Sequence, residues 1–260
     1  MSAPVRLSVA APAYDEAASV AAVVTGWADA LRGHPGVAEW EIVVCDDGSR
    51  DGTGAILAGL AASMPELVVV SFARNRGAGA AIAAAVGATR LDWVLLTDSD
   101  GQFPVENLDR MLAARAGGGR AFSGARGQKA DAAAYRLGSR ASGAVCNRLL
   151  GTRYRDFNSV FKLVEGPLFR SLRLESEGMN CSTEITARVV ELGVGWVEVP
   201  IEHRPRDGGA RSWGFVRGAR NRLLFVGYLG VRQFLLRRRV LRSPTADPAP
   251  VPARTPAGTT

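Results

Sequence analysis

The 260-residue sequence predicts an α/β domain: a mixed, mostly parallel central sheet with helices on both faces. Three observations carry that expectation. Apolar runs alternate with helical stretches in the order βαβαβαβα through the first half of the chain. The strand runs are short and continuously apolar, the pattern of strands buried in parallel sheets. The hydrophobic content, 47%, is enough over this length for a sizeable core.

In chain order, strands are predicted over 5–10, 41–45, 67–72 and 93–97, with helices over 17–32, 54–63, 78–89 and 105–116 between and after them. After a flexible glycine run at 117–119 the pattern changes. A short strand near 121–125 and a helix over 135–150 come next, then an irregular polar stretch. A strand near 160–164, a helix over 183–192 and a strand over 196–200 complete the domain, which is expected to span 1–212. Residues 213–242 form an arginine-laced helical segment, and the Pro/Ala/Thr-rich tail 243–260 is expected to be disordered.

In sheets of this class ligands bind beyond the carboxyl ends of the strands. The polar clusters at those exits are Tyr14-Asp15-Glu16, Asp46-Asp47-Gly48-Ser49, Arg74-Asn75-Arg76-Gly77 and Asp98-Ser99-Asp100. A surface loop explains any one of them, but a shared site explains why every exit carries charge.

Composition narrows the function classes. Only three cysteines occur, Cys45, Cys146 and Cys181, with no CxxC pair. That argues against a disulfide framework or a zinc site and fits a reducing compartment. The amino-terminal run breaks at Tyr14, Asp15 and Glu16, so it reads as a first strand, not a secretion signal. No stretch of 18 apolar residues exists, so no transmembrane helix is expected. Residues 201–242 hold eleven arginines against Glu202 and Asp207, whereas 1–200 are nearly balanced. That basic segment implies an anionic partner, and without a recognised nucleic-acid motif a membrane surface is the better match, the alternative being an ordinary C-terminal helix packed on the domain.

The motifs point to phosphate chemistry. In IVVCDDGSRDGT (42–53), carboxylates fixed at a strand end can accept hydrogen bonds from a base or ribose, while Ser49 or Asp51 can cap the next helix. In LLTDSDGQ (95–102), Asp98 and Asp100 sit at i and i+2 of extended chain and point the same way. Two hard oxygen ligands at that spacing suit Mg²⁺ or Mn²⁺, with phosphates and water completing the shell. GAGAAI (77–82) lacks a small residue at its last position and follows the third strand, so it reads as a closely packed helix start and not as a dinucleotide fingerprint.

In order and spacing, VAAPAYDEAASV, VVCDDGSRDGT, FARNRGAGAAIAAAVGA and LLTDSDGQFPVENL resemble the family 2 glycosyltransferases with the GT-A fold. GAR (124–126), 135–151, DFNSVFKL (156–163), STEITARVVELG (182–193) and 197–212 extend that resemblance to polyprenol-phosphate sugar transferases of the dolichyl-phosphate mannose synthase type. The resemblance implies that Pro12, Tyr14, Glu16, Asp46 and Asp47 hold the nucleotide. It implies that Asp98, Asp100 and Gln102 coordinate the ion, and that Arg126, Arg136 and Arg206 face the donor diphosphate or acceptor phosphate, with Arg140 and Ser212 nearby. Val160 stands where many relatives have glycine, and Arg211 precedes Ser212 where a G-x-S-K pattern is common.

The activity implied is inverting transfer of a hexose, mannose or glucose, from a GDP- or UDP-sugar to polyprenyl phosphate, by an enzyme peripheral to the cytoplasmic face of the membrane. Hydroxyl-acceptor relatives often carry a Glu-Asp pair as base, whereas Glu184 is followed here by Ile185, which favours an acceptor that is already an anion. Glu184 itself is either catalytic or a first-turn helix acid. A soluble transferase with a hydroxyl acceptor and a nucleotide-binding protein without turnover are the alternatives.

Overall fold

The computed structural model describes residues 3–127, 133–178, 180–205 and 215–238. Seven strands form one sheet: β1 (Val5–Ala13), β2 (Val37–Asp46), β3 (Leu67–Ser71), β4 (Trp93–Leu96), β5 (Ala121–Arg126), β6 (Lys162–Glu165) and β7 (Val197–Ile201). Their spatial order is β3-β2-β1-β4-β6-β5-β7. β1, β2, β3 and β4 pair in parallel, as do β5 and β7, while β6 runs antiparallel between β4 and β5. The last six residues of β2 and the last three of β4 are all buried. Both faces of the sheet are therefore covered, and the continuous apolar runs follow from that.

The helices are α1 (Val20–Leu31), α2 (Thr53–Ser63), α3 (Ala78–Ala88), α4 (Asn107–Ala116), α5 (Ala133–Leu150), α6 (Gly166–Arg170), α7 (Cys181–Glu191) and α8 (Phe215–Arg237). α1 begins at Val20 and not near 17, because the Glu16 carbonyl accepts from the amides of Ser19 and Val20 while the Ala17 amide goes to Asp51. α6 is a single turn with Pro at its start that the sequence did not suggest, since five residues are too few to show a period. The expected tail 243–260 lies outside the described residues.

A lysine lies in the core. Lys162 on β6 is wholly buried, its Nζ donating to Ser123 Oγ at 3.1 Å and standing 4.8 Å from the centre of the Trp196 ring. Burial is the main cause that pulls its ammonium from 10.5 down to about 7, with Asp156 opposing. Between those two values the unfolded chain binds more protons than the folded one, so this group makes stability rise with pH, and its penalty is full below about 7. In urea unfolding, Lys162→Met should therefore gain on the wild type most at about pH 6 and lose that advantage toward about pH 10. A difference that does not vary with pH would count against a buried, titrating ammonium.

Candidate active site

The carboxyl ends of β1, β2 and β4 meet at one place. Ala13 pairs with Asp46, the Asp47 amide donates to the Ala13 carbonyl at 2.8 Å, and the Thr97 amide donates to the Ala10 carbonyl at 3.0 Å. Beyond these ends the loops are stitched by side chains. The amides of Asp15, Glu16 and Ala17 donate to Ser49 Oγ, Thr53 Oγ1 and Asp51 Oδ2 at 2.9–3.0 Å. Asp15 is the only non-glycine residue with positive φ (53°) among the described residues, and its carboxylate accepts from the Arg50 amide. Asp51 also accepts from the amide of Thr53, the first residue of α2. Ser99, buried, donates to the Pro12 carbonyl at 2.8 Å, and Ser19 donates to the Ser99 carbonyl and to Glu16. Pro12, Tyr14 and Glu16 are thus half-buried at the mouth of β1, beside the exits of β2 and β4.

Asp46 and Asp47 are both buried. Asp46 accepts from the Ser49 amide, and a Cβ on Gly54 would stand 2.6 Å from its Oδ2. Asp47 turns to the next exit: it accepts from Asn75 Nδ2 and from the amides of Arg76 and Gly77 at 2.7–3.0 Å. Burial pushes its carboxyl above the ordinary value, against those two amides, which hold it down. Both oxygens hold the loop before α3.

The glycines of GAGAAI have a packing reason. Gly77 has φ +95°, and Cβ atoms on Gly77 and Gly79 would stand 2.2 Å from the Glu177 carbonyl oxygen and 1.7 Å from that of Ser176. The Gly79 amide donates to the Glu177 carbonyl at 2.8 Å. Gly79→Ala must displace that backbone and should destabilise the protein by about 1–3 kcal/mol in chemical unfolding. An unchanged midpoint would mean that the 176–177 segment does not pack there.

Glu184 holds the same segment from the other side. It is wholly buried, accepts from the amides of Glu175 and Ser176 at 2.8–3.1 Å, and is paired with Arg188 Nη2 at 2.8 Å. Its oxygens are spent on backbone and on a buried cation, the geometry of a residue that positions the 175–176 segment.

At the exit of β4, Ser99 points inward while Asp98 and Asp100 flank it, half-buried. Asp100 accepts from the Gln102 amide at 3.0 Å, with Gly101 at φ +76° closing the turn. Burial, and next the charge of Asp98, push the Cys181 thiol up to about 12, so the start of α7 lies beside this exit. Among the described residues no group of three or more His, Cys, Asp or Glu is arranged to hold a metal. Two carboxylates fit a Mg²⁺ or Mn²⁺ ion whose remaining ligands are substrate phosphate and water; they do not make a self-sufficient cage. The Gln102 side-chain nitrogen donates to the Arg204 carbonyl at 3.1 Å, and the Arg204 amide returns a bond to the Gln102 carbonyl. This side chain is therefore a latch on the segment after β7. Asn107 reinforces the latch, exchanging bonds with Glu202 in both directions at 2.9 Å.

Arg126, at the end of β5, forks onto Asp156 through Nε at 2.6 Å and Nη2 at 3.1 Å, and its amide reaches the same carboxylate. Two of its donors are thus committed within the protein. Arg140 is exposed on α5, and Arg136 lies on the same helix with its side chain outside the described part. Arg206 and Ser212 fall outside the described residues. Sequence reasoning missed Asp156, Asn107 and the loop-holding role of Asp47. Only the DFNSVFKL stretch hinted at the first, and no pattern pointed to its partner 30 residues away.

The profile of Glycosyl transferase family 2 matches residues 8–170. The undecaprenyl-phosphate 4-deoxy-4-formamido-L-arabinose transferase of Pectobacterium carotovorum subsp. carotovorum (strain PC1) is 28% identical over 221 residues, covering 82% of this chain and 64% of that protein. The protein of the same name from Shewanella sediminis (strain HAW-EB3) is 26% identical over 214 residues, covering 81% and 62%. The chain thus spans less than two thirds of the length of these relatives. Among solved structures, mannosyl-3-phosphoglycerate synthase from Rubrobacter xylanophilus superposes with TM-score 0.66 at 20% identity, covering 95% of this chain and 79% of that one. Glucosyl-3-phosphoglycerate synthase from Mycobacterium tuberculosis, solved with Mn²⁺ and UDP-glucose, gives 0.62 at 18% identity, covering 97% and 90%. These similarities show the GT-A fold.

Proposed function

The chain belongs to glycosyl transferase family 2, and on that premise we propose that it moves a sugar from a nucleoside diphosphate to polyprenyl phosphate at a membrane surface. The observation that carries this reading is the meeting of three strand exits, with Asp98 and Asp100 beside the Pro12–Glu16 loop and the buried Asp46/Asp47 pair.

In this reading Pro12, Tyr14, Glu16 and Asp46 border the base and ribose, and Asp47 sets the 75–77 loop that completes the pocket. Asp98 and Asp100 would hold Mg²⁺ or Mn²⁺ beside the donor phosphates. The ion, when bound, neutralises the charge that grows on the leaving diphosphate. Arg126, Arg136, Arg140 and Arg206 with Ser212 supply cationic and hydroxyl groups for the phosphates of donor and acceptor. A phosphate oxygen of the acceptor attacks the anomeric carbon as its bond to the diphosphate breaks, so the configuration inverts. A phosphate monoester is an anion at neutral pH and needs no general base. The burial of Glu184 supports this acceptor, because it leaves that carboxylate unable to take a proton from a hydroxyl.

The donor is read as a GDP- or UDP-hexose, mannose or glucose. The relatives above are named for a modified arabinose, so the panel that tests the reading includes UDP-linked pentoses as well. Nucleotide sugars are incubated with polyprenyl phosphate and Mg²⁺ or Mn²⁺, and lipid-linked sugar is the expected product. Transfer only to a free saccharide hydroxyl would replace this reading with the soluble-acceptor one.

The described residues contain no helix long and apolar enough to cross a membrane. The outer side of α8 supports peripheral attachment at the cytoplasmic face: Leu223 is 74% exposed, Leu224 66%, Val231 62% and Phe234 56%, on a helix rich in arginine. Aliphatic side chains beside arginines suit the boundary of acyl chains and anionic headgroups. The protein should float with anionic liposomes and be released when Leu223, Leu224, Val231 and Phe234 are changed together to serine. Equal flotation of that variant would remove α8 from the attachment.

A further inference from the structure

Arg222, on the inner side of α8, has a place in the reaction that neither the motifs nor the family resemblance assigns. Its Nη1 donates to Asn158 Oδ1 at 2.9 Å and to Thr183 Oγ1 at 2.5 Å, and Thr183 Oγ1 donates in turn to Asn158 Oδ1 at 2.7 Å. The triangle fixes the guanidinium while using only one of its three nitrogens. Nearby Asn180 donates to the Asn221 carbonyl at 3.2 Å, which seats this part of α8 on the start of α7.

The charge balance around Arg222 differs from that of its neighbours. Arg188 and Arg232, on the same α7–α8 contact, are paired with Glu184, Glu191 and Glu175. Among the described residues no carboxylate pairs with Arg222; the groups facing it are the thiols of Cys146 and Cys181. Burial pushes the Cys181 thiol up to about 12, so it is neutral at physiological pH and offers no counter-charge. A largely enclosed cation without an anion is costly unless a ligand supplies one. The planar fork still has Nε and Nη2 to present, which matches two oxygens of a phosphate.

Position agrees with charge. Thr183, which Arg222 grips, lies two residues after Cys181 at the start of α7, and Cys181 feels the charge of both Asp98 and Arg222, so α7's start neighbours the β4 exit as well as this arginine. α8 packs along α5, with Arg222 facing Cys146 and Gly230 facing Leu149, and α5 also carries Arg136 and Arg140.

We propose that Arg222, held by Asn158 and Thr183, receives the phosphate monoester of the acceptor. This rests on the lipid-phosphate reading above, and the two can fail separately. The simpler role for Arg222 is to tie α8 to α7, which would affect stability and leave acceptor affinity alone.

The test is calorimetric titration of the full chain with citronellyl phosphate, a short prenyl phosphate, with glycerol 3-phosphate, and with the donor nucleotide. Arg222→Gln should weaken citronellyl phosphate by roughly tenfold or more, as loss of a charge-assisted fork implies, and leave nucleotide affinity within about twofold. Arg222→Lys keeps the charge and the bond to Thr183 but loses the fork, so it should fall between the two; it carries the comparison should Arg222→Gln not fold. Loss of citronellyl phosphate alone assigns the site to a prenyl headgroup, and parallel loss of glycerol 3-phosphate assigns it to any phosphate monoester. If the wild type and both variants bind citronellyl phosphate equally, Arg222 is only a tie and the proposal fails while the lipid-phosphate reading stands. If the wild type binds no phosphate monoester, both fall.

Discussion

Asp100→Ala should reduce sugar transfer by about three orders of magnitude while leaving a folded protein. Stabilisation of a leaving diphosphate by a bound ion is worth several kcal/mol, and about 4 kcal/mol corresponds to about a thousandfold in rate. The folded state loses little, because Asp100 is half-buried and its bond to the Gln102 amide lies within one turn. That bond is worth about 1 kcal/mol. The decisive measurement is nucleotide affinity with and without Mn²⁺. The wild type should bind the nucleoside diphosphate more tightly with the ion, and Asp100→Ala should show no such gain. Asp98→Asn should behave alike, since both carboxylates flank the buried Ser99 on one side of the turn. Undiminished transfer by Asp100→Ala would sink the metal role of this pair.

Glu184→Ala should be the most destabilising single change in the site region, by about 3–5 kcal/mol, the usual consequence of stripping a buried cation of its partner. Glu184 is wholly buried, accepts from two backbone amides and pairs with Arg188, itself wholly enclosed. Glu191 lies 3.1 Å from the same arginine and softens the loss without replacing the amide bonds. A loosened 175–177 segment no longer supports Gly77 and Gly79 at the start of α3, so donor affinity should fall together with stability. A catalytic base behaves differently: its removal lowers turnover at unchanged stability. Urea unfolding and donor titration of Glu184→Ala and Glu184→Gln separate the roles, and a stable, inactive Glu184→Gln would restore the catalytic assignment.

The first half of the fold was legible because each element there has a local signature. β1, β2 and β4 carry apolar runs buried on both faces, β3 is a short apolar edge strand, and the helices between them are bounded by glycines and polar turns. The exits were legible for the same reason, since a strand's end and the polar residues after it are adjacent in sequence. The second half was harder to read. That β6 enters antiparallel between β4 and β5 depends on pairing partners more than 35 residues apart, which no local period reports.

By itself, the sequence determined the α/β class, the polar exits and the ordered motifs of glycosyl transferase family 2. Those are properties of residues next to one another, where periodicity and residue type are sufficient. Only the tertiary structure decided what each charge does. Asp47 is spent on the 75–77 loop, Arg126 on Asp156, Glu184 on the 175–176 amides, and Arg222 pairs with no carboxylate among the described residues. The physical reason is desolvation: a buried charge must find partners wherever the fold brings them, so its role depends on neighbours that are distant in sequence.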